Sequence, residues 1–153
     1  MMDDQKFMTM ALELAREAAA EGEVPVGAVV VRDGVVIGTG RNRREQAGNA
    51  LAHAEVEAID AACRTLGGWQ LVGCTLYVTL EPCPMCAGAI INSRIPRVVQ
   101  GATNPKAGSC GSIVDLFALP YNHRPELVSG VMEEECQQVL KEFFKNMRAG
   151  RVK

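Results

Sequence analysis

The sequence predicts a single α/β domain over residues 1–153, with a sheet covered by helices on both faces. Helix-like and strand-like hydrophobic patterns alternate after an opening hairpin, which is typical of this fold class. A length of 153 residues suits one domain with a sizeable core. Hydrophobic residues make up 48% and charged residues 22%, an ordinary balance for a globular α/β protein.

The first elements are a helix and a hairpin. Apolar residues recur at helical spacing over residues 3–21, and Gly22 provides a stop. Two apolar runs, residues 26–31 and 35–37, flank Asp33-Gly34. Because Asp-Gly favours a two-residue turn, the runs predict paired strands.

A loop, a helix and a strand then lead to another helix. Residues 42–52 are polar and irregular, which predicts a loop. A helix is expected over residues 53–66, where Gly67-Gly68 ends it. Residues 76–80 form an apolar strand pattern, and the next helix is expected from Pro84 to about Asn92, with proline suited to its first turn.

The last third of the chain predicts two more strands. These cover residues 98–102 and 127–131. Between them, residues 101–112 are rich in Gly, Ser, Asn and Pro, which predicts a flexible loop of the kind found at active sites. A short helix is expected over residues 113–119, and the final helix over residues 133–148.

Charge and cysteine usage limit the class of protein. A net charge of −2 excludes a polycation, so any nucleic-acid contact must depend on a local basic patch. No apolar run approaches the ~20 residues that span a bilayer, and the start Met1-Met2-Asp3-Asp4 lacks the basic region of a secretory signal. Six cysteines without such a signal favour free thiols in a reducing compartment. We therefore expect a cytoplasmic protein.

Two short motifs carry the chemistry. The first is His53-Ala54-Glu55, and the second is Pro82-Cys83-Pro84-Met85-Cys86. One histidine and two cysteines can hold a zinc ion through three protein ligands, which leaves a fourth position open for water, as in catalytic zinc sites. The combination H-x-E with P-C-x-x-C is the known signature of zinc-dependent nucleobase deaminases. The motifs therefore predict a zinc hydrolase that deaminates a base.

The two cysteines have less specific interpretations as well. A redox C-x-x-C would have no need of a histidine and carboxylate thirty residues earlier. A structural zinc site would require a fourth protein ligand, and the candidates, none of them at zinc-finger spacing, are Cys63, Cys74, Cys110, Cys136 and His123. The four other cysteines are more typical of small core residues.

Glu55 is the candidate proton shuttle. Two cysteinates balance the formal charge of zinc, and zinc lowers the pKa of bound water. The Glu55 carboxylate would take the proton of that water and return it to a ring nitrogen and then to the leaving ammonia. A helical glutamate is usually solvated surface, but this one lies between a predicted ligand and an apolar stripe.

The chain resembles the bacterial tRNA-specific adenosine deaminases, which convert the wobble adenosine of an anticodon to inosine. Besides the two zinc motifs, the segments that carry the resemblance are Glu23-Val24-Pro25-Val26-Gly27-Ala28, Arg41-Asn42-Arg43, Lys106-Ala107-Gly108, Gly111-Ser112, Asn122-His123-Arg124, Glu135-Cys136, Phe143-Phe144 and Arg148. The resemblance implies a three-layer α/β/α sandwich with a mixed five-stranded sheet, as in cytidine deaminases. It also implies a homodimer with active sites near the subunit interface.

The same resemblance assigns roles at matching positions. His53, Cys83 and Cys86 become ligands of one Zn²⁺ per subunit, and Glu55 becomes the proton shuttle. The residues expected to bind the target nucleotide are Val26, Asn42, Ala54 and Phe144. From the residues alone, Asn42 is a turn residue and the pair Phe143-Phe144 is core.

Charge near the C-terminus agrees with an RNA partner. Residues 141–153 contain five basic side chains against Glu142 alone: Lys141, Lys145, Arg148, Arg151 and Lys153. Such a cluster is often only a solvated helix face, but it could meet phosphates beside the pocket. The expected partner is a tRNA anticodon stem-loop, that of an arginine tRNA, with its target base splayed out.

Asn104 departs from the family pattern. The family usually has an aspartate there, near the ribose of the target nucleotide. An asparagine keeps one acceptor and loses the charge, so we expect weaker discrimination between RNA and DNA. The alternative functions are deamination of a free nucleobase or nucleoside, such as guanine or cytosine, and a zinc-stabilised binding module, for which Glu55 would be unnecessary.

Overall fold

The hairpin that opens the sheet forms at Asp33 and Gly34, as predicted. In the computed structural model, which describes residues 3–150, these two residues have φ values of 51° and 76°. Positive φ at both central residues is what a type I′ turn requires. The turn joins strand β1, Gly27–Arg32, to strand β2, Val35–Arg41, and the two pair antiparallel.

Three further strands complete a mixed sheet. They are Cys74–Leu80 (β3), Arg97–Ala102 (β4) and Glu126–Ser129 (β5). The strand order is β2-β1-β3-β4-β5, with β1 antiparallel to both neighbours and β3, β4 and β5 mutually parallel. The mixed five-stranded sheet implied by the family resemblance is thereby confirmed.

Helices cover both faces of this sheet. They are Asp4–Ala20 (α1), Arg44–Ala47 (α2), Ala54–Leu66 (α3), Pro84–Asn92 (α4) and Glu133–Arg148 (α5). Alternate strand residues point to opposite faces, so Leu76 and Val98 pack in the core under α3 and α4. Tyr77 and Val99 pack in the core under α1 and α5. The result is the expected three-layer α/β/α sandwich.

Strand β2 is longer than the sequence pattern predicted. The prediction ended this strand at Ile37, the last residue of the apolar run, and Gly38 and Gly40 follow it. In the structure both glycines face helix α3, where an added Cβ would lie 2.3 Å from the Ala58 carbonyl oxygen and 2.2 Å from that of Ala54. The glycines are therefore not strand breakers; they allow the helix to pack directly on the strand.

Four other elements differ from the predictions by two residues or more. The predicted loop 42–52 contains α2, and the predicted helix 113–119 is a single 3₁₀ turn over Leu116–Ala118. Strand β3 begins at Cys74 rather than residue 76, and β5 covers Glu126–Ser129 rather than residues 127–131. Short elements of this kind depend on contacts distant in sequence, which periodicity does not record.

Two general expectations can be compared with the structure. No helix within residues 3–150 is long and apolar enough to cross a membrane. All six cysteines are free thiols, as their usage predicted.

Candidate active site

The candidate site lies where several strand ends meet at one edge of the sheet. Strands β3 and β4 are parallel, so their carboxyl ends, Leu80 and Ala102, are neighbours. Strand β1 is antiparallel to β3, so its first residue, Gly27, lies at the same edge, opposite the end of β2 at Arg41. The segments that follow or precede these ends therefore converge, and they contain most of the predicted site residues.

The three predicted metal ligands come together at this edge. His53 is the N-cap of α3, and Cys83 is the N-cap of α4 with Cys86 in its first turn. The Nδ1 atom of His53 lies 3.6 Å from Sγ of Cys83 and 3.5 Å from Sγ of Cys86. Two ligands of a tetrahedral zinc, one nitrogen and one sulfur, lie roughly 3.6 Å apart, so the donor set fits such an ion.

The cysteine pair is suited to metal binding in its electrostatics too. A hydrogen bond from Cys86 and a second from His53 lower the pKa of Cys83 to about 4, despite its burial. The same Cys83 partner raises the pKa of Cys86, which favours the proton on Sγ of Cys86 over Sγ of Cys83. A bound cation would displace that proton, because metals bind the thiolate form.

Glu55 is buried beside these ligands. Only 4% of its surface is exposed, and this burial raises its pKa to about 7. A carboxyl group that titrates near neutral pH can both accept and return a proton under working conditions. The position two residues after His53, in the first turn of α3, brings Glu55 into the same cavity.

A cavity of about 210 Å³ opens in front of these side chains. Its walls include seven of the residues predicted from the sequence: Val26, Asn42, His53, Ala54, Glu55, Cys83 and Asn104. The volume is below the roughly 300–1,000 Å³ of sites for drug-sized ligands. A cavity of this size suits a single base rather than a whole nucleotide.

Asn42 is both a turn residue and part of the cavity wall. Its Oδ1 accepts the N–H of Arg44 at 3.1 Å, and its Nδ2 donates to the carbonyl of Val24 at 3.1 Å. The side chain is 8% exposed. These two bonds fix the amide, and they leave one N–H and one lone pair for a ligand.

Asn104 has its acceptor turned towards its own loop. The Oδ1 atom accepts the N–H of Ala107 at 3.3 Å. The Ala107 N–H faces the oxygen of Asn104, so the NH₂ is the polar group of this side chain that makes no hydrogen bond within residues 3–150. An aspartate in the same position would instead keep one oxygen free to accept a hydrogen bond.

Phe144 does not line the cavity. It lies half-buried in an adjacent groove of about 520 Å³, which shares Val24 and Arg44 with the cavity. Its neighbour Phe143 is 4% exposed and belongs to the interior. The basic residues Lys141, Lys145 and Arg148 are exposed on α5, whereas Arg151 and Lys153 lie outside the described residues.

The sequence interpretation missed two buried carboxylates that hold the walls of the site. Glu23, 1% exposed, accepts the backbone N–H groups of Glu45 at 3.1 Å and Gln46 at 2.7 Å, which fixes α2. Glu81, 2% exposed, binds the loop that follows β4. Glu23 opens a segment that carries the family resemblance and Glu81 directly precedes Pro82-Cys83, but their partners lie more than twenty residues away in sequence. Local pattern gives no sign of such contacts.

Comparison with known proteins agrees with this site. The family model described as MafB19-like deaminase matches residues 2–148. The tRNA-specific adenosine deaminase of Bacillus subtilis is 49% identical over 149 residues, which cover 97% of this chain and 92% of that protein.

Solved structures show the same relationship. A tRNA A34 deaminase that carries out A-to-I editing at the wobble position superposes with a TM-score of 0.86 and 46% identity, covering 88% of this chain and 99% of that one. The guanine deaminase of Bacillus subtilis has a TM-score of 0.65 and 36% identity, covering 98% and 94%. The fold, the motifs and these relatives together show that the chain belongs to the deaminase family that includes the tRNA-specific adenosine deaminases.

Proposed function

We propose that this protein is a zinc-dependent hydrolase that deaminates adenosine to inosine at the wobble position of a tRNA anticodon. The observation that carries the proposal is the His53, Cys83 and Cys86 donor set in one cavity with buried Glu55. The identity of 49% with a tRNA-specific adenosine deaminase supports the choice of substrate.

His53, Cys83 and Cys86 would hold the zinc. When bound, zinc supplies a water of lowered pKa near neutral pH. His53 presents Nδ1 to the two sulfurs, so its ring is oriented for coordination in this conformation. Substituting His53 or Cys86 by Ala should therefore remove metal and activity together.

Glu55 would move the protons of the reaction. Its carboxylate takes a proton from the attacking water and delivers it to N1 of adenine. It then takes the second proton of that water and delivers it to the amino group on C6. The C6–N bond breaks, and water plus adenosine yield inosine plus ammonia. Burial raises the pKa of Glu55 to about 7, so the group can both accept and donate a proton near neutral pH.

The wall residues would bind the nucleotide. Val26 and Ala54 offer apolar and backbone contact to the base, and Asn42 has one N–H and one lone pair left for it. Asn104 lies on the opposite segment, where the sugar is expected. Because the cavity suits only a base, the flanking nucleotides would extend into the groove beside Phe144.

Deamination of free guanine is the second candidate. It is favoured by the 36% identity with a guanine deaminase over nearly the whole of both chains. Asn104 favours guanine deamination as well, since the tRNA-specific deaminases usually have an aspartate at this position. The groove beside Phe144 and the basic face of α5 favour the tRNA, because a free base needs neither.

Three further expectations belong to this proposal. The specific partner would be an arginine tRNA, the compartment would be the cytoplasm, and the assembly would be a homodimer. Support for the dimer comes from an exposed apolar segment, in which Ile113 is 63% exposed and Tyr121 is 50% exposed. Side chains of this kind are typical of a subunit interface.

The test is inosine analysis of an arginine tRNA transcript with an ACG anticodon, after incubation with purified, zinc-loaded protein. Free adenosine, guanine and cytosine are assayed alongside, with Glu55→Ala as the inactive control. Inosine at the wobble position, absent with the control, is the expected result. Turnover of guanine alone would instead establish the second candidate.

A further inference from the structure

The carboxylate of Glu81 is unusual in its partners. It lies between strand β3 and the ligand Cys83, 2% exposed. Its Oε1 accepts the N–H of Asn104 at 3.0 Å and the hydroxyl of Ser112. Its Oε2 accepts the N–H groups of Cys110 and Ser112, both at 3.0 Å. Four donors fill the roughly four lone-pair positions of a carboxylate.

These hydrogen bonds, rather than an ion pair, stabilise the buried carboxylate of Glu81. Among residues 3–150, no basic side chain lies within ion-pair distance of Glu81. With four donors on its two oxygens and no basic partner among these residues, the carboxylate of Glu81 is an anchor for the loop.

The anchored loop forms one wall of the cavity. Asn104 and Ala107 face the cavity that holds His53 and Glu55. The loop approaches Glu81 so closely that a Cβ on Gly108 would lie 2.4 Å from the carboxyl carbon. A further bond, from Ser109 N–H to the carbonyl of Pro82 at 2.9 Å, ties the loop to the turn before Cys83.

We propose that Glu81 is a positioning residue: its carboxylate fixes residues 104–112 against the turn that carries Cys83, and thereby sets the distance between the Asn104 wall and the metal centre. Glu81 also lines the cavity, but the lone pairs of its carboxylate are occupied by the loop, so it acts through Asn104 rather than on the base. The proposal deepens the proposed function, on which it rests, because it assigns the residue that positions the substrate wall.

The structure identifies Glu81→Gln as a selective perturbation. A glutamine keeps one oxygen and replaces the other by NH₂, a donor. The Oε2 position faces two backbone N–H groups, so the remaining oxygen is best placed there. The NH₂ then faces the Ser112 hydroxyl, which can rotate to accept, and the Asn104 N–H, which cannot. The variant should release Asn104 and keep Cys110 held.

The experiment combines hydrogen exchange with kinetics on zinc-loaded protein. In Glu81→Gln, we expect the Asn104 amide to exchange at least about tenfold faster while the Cys110 amide stays protected. With the anticodon hairpin as substrate, KM should rise about tenfold, with kcat changed less than about threefold and full zinc content. Asn104 is expected to lie near the sugar rather than the reacting atoms, so the effect should appear in KM.

Two further variants keep the result decisive. Ile95→Val, a fully buried core substitution, is the control for lost stability: it should lower the urea midpoint of unfolding and leave KM unchanged. Ser112→Ala removes one of the four bonds and should raise KM about threefold, which provides a test even if Glu81→Gln does not fold.

The outcomes are separable from those of the proposed function. Wild-type exchange at Asn104 together with wild-type KM in the variants would overturn the role of Glu81, as would loss of zinc in Glu81→Gln. Failure of the unmodified protein to deaminate the hairpin would overturn the function. The exchange measurement needs no substrate and would still decide whether Glu81 holds the loop.

Discussion

The packing of α3 on strand β2 sets the position of His53 and Glu55, and Gly40→Ala should disturb it. A Cβ at Gly40 would lie 2.2 Å from the Ala54 carbonyl oxygen, against 3.4 Å for an ordinary contact, so the helix must shift by about 1.2 Å. Ala54 stands between His53 and Glu55. Because misplacement by about 1 Å can cost ~10²-fold in rate, we expect kcat/KM to fall by that order. Overpacking should also cost about 1–3 kcal/mol of stability.

Two other glycines provide matched controls. Gly38→Ala creates a similar clash, 2.3 Å from the Ala58 carbonyl oxygen, but one helical turn further from the site. Its stability loss should match that of Gly40→Ala, while its kcat/KM per folded molecule should fall less. Gly88→Ala meets nothing within 4 Å and should leave activity unchanged. Urea denaturation measures the loss of stability, and inosine formation measures kcat/KM. Equal kcat/KM in Gly38→Ala and Gly40→Ala would refute the reasoning.

Four shorter predictions address the chemistry, the partner and the scaffold. Glu55→Ala should keep zinc, by metal analysis, yet lose at least the ~10²–10⁴-fold typical of a general acid–base, and intact turnover would remove its role. Truncation after Asn146 should weaken tRNA binding and flatten the plot of log affinity against log salt, whereas an unchanged slope would mean a merely solvated tail. Asn104→Asp should raise the ratio of kcat/KM on RNA to that on matched single-stranded DNA hairpins; an unchanged or lower ratio contradicts contact with the sugar. The hydrogen bond from Arg97 lowers the pKa of Asp4. The ionised carboxylate therefore stabilises the fold at pH values above the ordinary aspartate pKa of about 3.8, and this stabilisation is lost as the pH falls through the lowered pKa. Asp4→Asn should thus be less stable than the unmodified protein at pH 7 but not in acid, which urea denaturation at both pH values would check.

The sequence was most informative where residue type and short-range order determine structure. Asp33-Gly34 predicted its turn because both residues tolerate positive φ, and proline after Cys83 predicted the start of α4. The convergence of His53, Cys83 and Cys86 was predictable for a similar reason. A histidine and two cysteines are rare in combination, and their positions at helix starts follow from the adjacent pattern.

The sequence was least informative where a contact joins distant segments. Gly38 and Gly40 interrupt an apolar run, and nothing nearby indicates that a helix will press on them. Helix α2 lies in a stretch that is polar and irregular, and the bonds that fix its first residues come from Glu23, more than twenty positions earlier. Asn104 was expected near a sugar, yet which of its two polar groups faces the cavity depends on Ala107 N–H, a detail of loop conformation.

Glu23 and Glu81 show how the walls of such a site can be held in place. A segment that lines a cavity has one face open, so it cannot be fixed by apolar burial from all sides as a core helix is. A buried carboxylate solves this problem, because it binds several backbone N–H groups of the wall at once. It does so only while each of its lone pairs is satisfied, since an unpaired buried charge is strongly destabilising. The wall and its anchor must therefore form together, which makes the shape of the cavity a property of the folded domain rather than of the loop sequences alone.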